Sequence, residues 1–239
     1  MTPKHILDFM NKDGNILLAL SGKTATSSAI SSLLLELDIH LSTDRSQVVV
    51  DHFNYDTLSA AEKHDVLVLQ RPGPLRSDVK AFFDGEGVLA LPRVAPQTLG
   101  DSALLSPILR APATAYSYNP KEGMPAAEDI LATGSQLNIV SAMQARNSAR
   151  FTVLGSVESL EDKWFSASVK TPSGKKTSTV NREFAKQLTA WAFKETGVLK
   201  VDKVEHRLAT EGAELNPSIY RIKNETVRET PIYCPSLPN

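Results

Sequence analysis

The segment Gln136–Ser156, QLNIVSAMQARNSARFTVLGS, constrains this chain more than any other. Two apolar runs, one through Ile139 and Val140 and the other through Phe151 and Val153, meet across the polar connection Ala145-Arg146-Asn147-Ser148-Ala149-Arg150. β-Branched and apolar residues on either side of an Arg/Asn/Ser turn predict two paired strands joined by a hairpin.

Upstream, helix and strand signals alternate. Thr2 stands where it can cap a first helix, Pro3 suits the first turn, Ile6, Leu7 and Met10 share helical spacing, and Gly14 lies just past the end. Asn15–Leu20 is a short apolar strand, and Thr26–Leu37 places Ile30, Leu33, Leu34 and Leu37 on one helical face. Gln47–Val50, Asp65–Leu69 and Gly87–Leu91 are short, nearly uninterrupted apolar runs of the kind found in buried strands. The expectation is an α/β fold, with a mainly parallel sheet that includes Asn15–Leu20, Gln47–Val50 and Asp65–Leu69 and helices flanking it.

From Pro92 to Pro125 the chain carries six of its 14 prolines, which predicts a long surface excursion. A short helix is expected near Glu158–Phe165 and a polar loop over Thr171–Thr179. Arg182–Glu195 gives the clearest helical pattern, with Phe184, Leu188 and Trp191 on its buried face, Asn181 as cap and Gly197 past its end. The tail is polar and punctuated by Pro217, Pro231, Pro235 and Pro238. The domain expectation is therefore an α/β domain over 1–205 and a proline-rich tail over 206–239.

Composition removes several classes of function. With 26 basic and 27 acidic residues among 239, the chain has no electrostatic footprint for nucleic acid. The single cysteine, Cys234, excludes an internal disulfide and an all-cysteine metal site. No run approaches the roughly 18 consecutive apolar residues of a membrane helix.

Five places invite a chemical interpretation, and three of them have a plainer one. Ser21-Gly22-Lys23-Thr24 follows a strand and is expected to open a helix, where backbone amides could hold phosphate. The full phosphate-binding loop requires a glycine five residues before Gly22, and that position is Leu17, so an ordinary helix start is favoured. Asp51, His52 and Asp56 could supply a base or metal ligands, but neighbouring residues on a strand point to opposite faces. His5, His40, His64 and His206 are scattered singly, which falls short of a zinc pattern. Ser156 after Gly155 resembles a nucleophile at a sharp turn, yet lacks the glycine two residues later and a convincing Asp…His pair. Trp164 and Phe165 could form a sugar- or partner-contacting platform, whereas Trp191 is expected in the core. Asn224-Glu225-Thr226 is the chain's only N-glycosylation sequon. No catalytic, cofactor or metal residue is assigned.

Several phrases of the sequence carry a family likeness. QARNSAR with the strand ending in Gly-Ser, the Trp-Phe of Leu160–Phe165, LTAWAFKETGVLKV at Leu188–Val201, VDHFNYD at Val50–Asp56 and SPILRAPATAYSY at Ser106–Tyr118 together resemble the DDOST/WBP-type subunits of the oligosaccharyltransferase complex. The resemblance runs from Thr2 to about Val227. It implies a fold similar to the class I glutamine-amidotransferase or flavodoxin type, and an accessory role in a complex that transfers a dolichol-linked oligosaccharide to Asn-X-Ser/Thr. Catalysis would then lie in another, membrane-embedded subunit, with a ribophorin-type subunit and a small DAD-type membrane subunit as further partners, on the luminal side of the endoplasmic reticulum. Set against family members, the chain is expected to be a fungal-like piece that lacks a signal sequence, the start of the first domain, later β-rich modules and a C-terminal membrane helix. The competing expectations are a free-standing α/β nucleotide-binding enzyme built around Lys23 and Thr24, and a soluble carbohydrate-binding module using Trp164 and Phe165.

Overall fold

The computed structural model describes residues 2–42, 47–71, 87–119, 132–197, 206–208, 212–213 and 215–217. The chain divides into two compact units, Met1–Gly197 and Val198–Asn239. In the second, the backbone amides of His206 and Asn216 donate to the Asn216 side-chain oxygen and the His206 carbonyl, each at 2.8 Å, which closes a small turn.

The strands of the first unit are β1 (Ile16–Ala19), β2 (Ile39–Leu41), β3 (Val48–Val50), β4 (Val66–Gln70), β5 (Val88–Pro92), β6 (Gln97–Leu99), β7 (Leu105–Arg110), β8 (Tyr116–Tyr118), β9 (Asn138–Gln144), β10 (Arg150–Leu154), β11 (Ser168–Lys170) and β12 (Lys176–Ser178). The helices are α1 (Pro3–Asn11), α2 (Ser28–Glu36), α3 (Asp162–Phe165) and α4 (Asn181–Ala192).

The predicted hairpin is the spine of the largest sheet. β9 and β10 pair antiparallel from Arg150↔Gln144 to Leu154↔Val140, and Ser148 takes the turn's positive φ of 68°. β1 runs parallel to β10, from Ile16↔Phe151 to Ala19↔Leu154. β7 pairs with the other edge of β9, and β6, which carries β2, meets β9 at Asn138. Period-two alternation then decides which face each residue serves. Ile16, Leu18, Phe151 and Val153 pack with α1 and α2 residues such as Met10, Leu33 and Leu34. Leu17, Ala19 and Leu154 turn to the other side, against Phe184 and Leu188 of α4. Helices therefore flank the sheet, as expected.

The expectation of a mainly parallel sheet is corrected. Among the described residues β1–β10 is the one parallel strand pair, and β3 and β4 lie in separate two-stranded antiparallel pairs, with β8 and β5. They still share a core with the main sheet, because Val49, Leu67, Leu91, Leu137, Ile139 and Leu154 belong to one buried cluster. The expected surface excursion after Pro92 contains β6, β7 and β8. Pro107 is accommodated in β7 because its register against β9 shifts beside it and because β9 is the only strand partner of β7 among the described residues.

Helix α1 begins as expected, with Thr2 as N-cap and Pro3 in the first turn, and the Thr2 hydroxyl lies 3.0 Å from His5 Nδ1. Helix α2 is capped by Ser27, whose hydroxyl accepts from the Ile30 amide. The expected helix near Glu158–Phe165 is a 3₁₀ turn over Val157–Leu160 followed by the single turn of α3. Within Thr171–Thr179 the chain forms β12, which folds back on β11. No helix among the described residues is long and apolar enough to cross a membrane.

In α4 two expectations change. Asn181 is inside the helix, not its cap, and its buried side chain accepts from the Ala90 amide (2.9 Å) and donates to the carbonyls of Ala90 (2.7 Å) and Ser159 (3.1 Å). Leu188 is fully buried, but Trp191 is only half-buried, one helical step around from the core face. Arg150 stacks on its ring at 4.5 Å. Replacing Asn181 by Ala would strand a buried amide and two buried carbonyls, so Asn181→Ala is expected to lower unfolding stability by at least about 2 kcal/mol in a denaturant titration. Leu188→Ala is expected to lose about 2–5 kcal/mol, and Trp191→Ala less than Leu188→Ala.

Candidate functional site

Two of the sequence candidates converge where β1, β5 and β10 end. The loop after β1 contributes Ser21–Lys23, the residue after β5 is Arg93, and the turn after β10 supplies Ser156 and Glu158. Gly22 donates its amide to the Arg93 carbonyl at 2.9 Å; a Cβ on Gly22 would come within 2.7 Å of that oxygen and 2.3 Å of Val48 Cγ1. Gly155 is equally confined, since its Cβ would lie 2.8 Å from the Ala95 carbonyl oxygen. Both glycines are therefore required by close backbone approach, not by a phosphate.

Glu158 is the centre of this junction. Its side chain is almost wholly buried and receives Arg93 through two guanidinium nitrogens, one of them Nε at 3.0 Å from Oε1, while Lys23 Nζ lies 3.2 Å from Oε1. Burial alone would push the Glu158 carboxyl up, but the hydrogen bonds and charges of Arg93 and Lys23 outweigh it and hold the group below its ordinary value. Arg93 holds a positive φ of 45°, which places its side chain within the junction.

The expected helix start at Ser21–Thr24 is not observed, because α2 opens only at Ser28. Lys23 is engaged by Glu158. Ser156 is fully buried, its hydroxyl donates to the Pro92 carbonyl at 2.6 Å, and its own carbonyl accepts from the Ser159 hydroxyl at 2.6 Å.

The second convergence surrounds the loop after β3. Asp51 is fully buried and accepts from the Phe53 amide (2.8 Å), the Asn54 amide (3.1 Å), Asn54 Nδ2 (3.0 Å) and the Thr114 hydroxyl (2.7 Å). Asp56 likewise ties its own turn to β11, accepting from the Ser59 amide (3.1 Å) and hydroxyl (2.6 Å) and the Lys170 amide (2.8 Å). Both carboxylates organise loops. His52 turns outward and meets His64 through the two Nδ1 atoms, while its Nε2 lies 2.9 Å from the Tyr116 hydroxyl. Burial, and then the neighbouring Tyr118, push the Tyr116 phenol up. His64 is thus brought to His52, a partnership invisible in its isolated position in the sequence.

Of the aromatic pair, Trp164 is buried with Val66, Val68, Ala90 and Val169, and its indole faces are not presented for stacking. Phe165 is half-buried beneath the Arg182 guanidinium, 5.5 Å from the ring centre. Asn224 and Cys234 lie outside the described residues.

Residues 1–195 match the family model described as OST48, N-terminal domain. The chain is 31% identical over 235 residues to the Schizosaccharomyces pombe dolichyl-diphosphooligosaccharide–protein glycosyltransferase subunit wbp1, covering 95% of this chain and 49% of that one. It is 31% identical over 244 residues to the Arabidopsis thaliana 48 kDa subunit of the same name, with 96% and 52% covered. The Danio rerio 48 kDa subunit is 30% identical over 228 residues, with 91% and 48% covered. The chain spans about half the length of the curated relatives it matches.

The depressed Glu158 group predicts an acid-sensitive fold. A carboxyl whose folded value lies below its unfolded value contributes stability that is present above the unfolded value, about 4.3 for glutamate, and is lost as pH falls through the folded one. Thermal melts across this acid range are expected to show a steeper loss for the native chain than for Glu158→Gln. At neutral pH Glu158→Ala, which leaves Arg93 without its counter-charge, is expected to cost about 3 kcal/mol.

Proposed function

Because the chain belongs to the family of the OST48 N-terminal domain, we propose that it is a non-catalytic, accessory domain of an oligosaccharyltransferase complex, supporting transfer of a dolichol-linked oligosaccharide to Asn-X-Ser/Thr. The names of its relatives, each a dolichyl-diphosphooligosaccharide–protein glycosyltransferase subunit, support the complex and the reaction. The observation that carries the accessory role is the fate of the reactive side chains. A nucleophile or general base needs a free lone pair within reach of a reacting atom. The Ser156 hydroxyl and the Asp51 carboxylate are directed into the fold that holds them, and Lys23 and Arg93 are both engaged by the buried Glu158.

The partners of this domain are a membrane-embedded catalytic subunit, a ribophorin-type subunit and a small DAD-type membrane subunit, met on the luminal side of the endoplasmic reticulum. Asn224, if it receives a glycan, reports that its segment faced the lumen.

The purified chain is expected to yield no glycopeptide from a dolichol-linked donor and an Asn-X-Thr peptide, with or without divalent metal. Depleting the protein in cells is expected to lower glycosylation together with assembly of the complex. A Ser156→Ala variant that folds and assembles is expected to leave turnover nearly unchanged. Glycopeptide made by the chain alone, or an assembled Ser156→Ala complex without activity, would reverse the assignment.

A further inference from the structure

Asn138 is the residue of β9 at which two other strands arrive, since it pairs with Gln97 of β6 and with Arg110 of β7. It is 4% exposed, and its Nδ2 donates to the Gln136 carbonyl at 3.2 Å. That bond fixes which way the amide faces, because turning it over would set the side-chain oxygen against the carbonyl oxygen. Oδ1 is then left buried, with no donor among the described residues. A buried acceptor in that state carries the full cost of its lost water, and it calls for a donor that the fold itself does not supply.

Asn138 lines a cleft of about 490 Å³ that lies between the end of β6, one side of β7 and the segment leading into β9. Arg110 lines it too. Cross-strand partners project to the same face of a sheet, so the guanidinium belongs with the Asn138 amide. Arg110 is exposed and engages no carboxylate among the described residues. Leu99, Leu105 and Pro107 give the cleft apolar walls, and Ser135 and Gln136 set a hydroxyl and an amide at its rim. The volume is within the range of small-molecule sites.

We propose that this cleft binds an acidic monosaccharide, a hexose-sized sugar that carries one phosphate or carboxylate group. The planar guanidinium of Arg110 takes the anionic group through charge-assisted hydrogen bonds. A sugar hydroxyl donates to Asn138 Oδ1 and supplies the missing partner. The C–H face of the ring lies on Leu99, Leu105 and Pro107, and the remaining hydroxyls, which donate and accept at once, suit Ser135 and Gln136. A peptide main chain fits less well, because it is recognised along a free strand edge, whereas β9 is already paired at Asn138 with both β6 and β7. The site does not depend on the accessory role of the domain.

The test is a calorimetric titration of glucose-6-phosphate, and separately of glucuronate, into the full chain, with glucose, inorganic phosphate and a short acetylated peptide with a free carboxyl end as comparators. One molecule per chain is expected for at least one of the two acidic sugars, which also tells phosphate from carboxylate. Glucose and inorganic phosphate are each expected to bind at least about tenfold more weakly. Arg110→Gln, a change at an exposed position, is expected to weaken binding at least about tenfold, and Arg146→Gln, in the β9–β10 turn, to leave it unchanged. Asn138→Leu is expected to weaken binding by a similar factor without lowering the melting temperature, because the orphaned oxygen is removed with the amide. In the native chain the sugar is expected to shift the side-chain amide resonances of Asn138, a readout that needs no variant to fold. No saturable binding of either acidic sugar, inorganic phosphate or the peptide binding as tightly as the sugars, unmoved Asn138 resonances, or undiminished binding in folded Arg110→Gln would overturn the site.

Discussion

A carboxylate taken out of water must be met by hydrogen-bond donors or positive charge, and Glu158 meets that requirement with two cations drawn from separate parts of the chain. Lys23 comes from the loop after β1, Arg93 from the end of β5 and Glu158 from the turn after β10, so the three loops have to converge for the charge to be accommodated. Gly22 and Gly155 let the backbones approach closely enough for this, and Arg93 adopts a left-handed conformation to reach its partner. In open α/β sheets the crevice at the carboxyl ends of the strands is where ligands bind. Here the corresponding place, beyond the parallel strands β1 and β10, is filled by the protein's own ion cluster. The same residues that make the sequence look like a nucleotide loop and a nucleophile turn are the ones that close it.

What could be read from the sequence was local. The β9–β10 hairpin, α1 with its Thr2 cap, α2 with its apolar face and the body of α4 each rest on a repeat or a turn contained within a dozen or so residues. Sheet membership has no such signature. Val48–Val50 is buried throughout, and a strand covered on both faces reads the same whether its neighbour is parallel or antiparallel. Its partner Tyr116–Tyr118 is one of the three strands hidden in the proline-rich stretch after Pro92. Pro107 in particular argues against a strand until the register shift beside it is seen. The likeness to known subunits covered the family correctly, while the mainly parallel sheet read from the alternation of strands and helices did not survive.

The candidate sites divide in the same way. Asp51, His52 and Ser156 were visible as residue types, but what each does depends on partners far along the chain, such as Thr114, Tyr116 and Pro92. His64 was visible only as one more isolated imidazole. Between the two tryptophans, helical spacing pointed to Trp191 as the core residue, yet the buried one is Trp164, which sits on a single helical turn too short to show any period. Asn181 was legible as a polar residue at a helix start, and its reach across to β5 was not.

Arg150 supplies the last consequence. Its guanidinium, held down by stacking on Trp191, donates to the carbonyls of Trp191, Thr196 (2.9 Å) and Gly197 (2.6 Å), tying the segment that follows α4 back to the sheet. Thr196 and Gly197 are also the final residues of the first compact unit. Tension drawn along the chain from beyond Gly197 therefore falls first on charge-assisted hydrogen bonds rooted in β10, an interior strand of the sheet, and not on the last turn of a fraying helix. In mechanical terms the arginine is a mooring: it decouples the stability of the α/β core from whatever pulls on the polypeptide that follows.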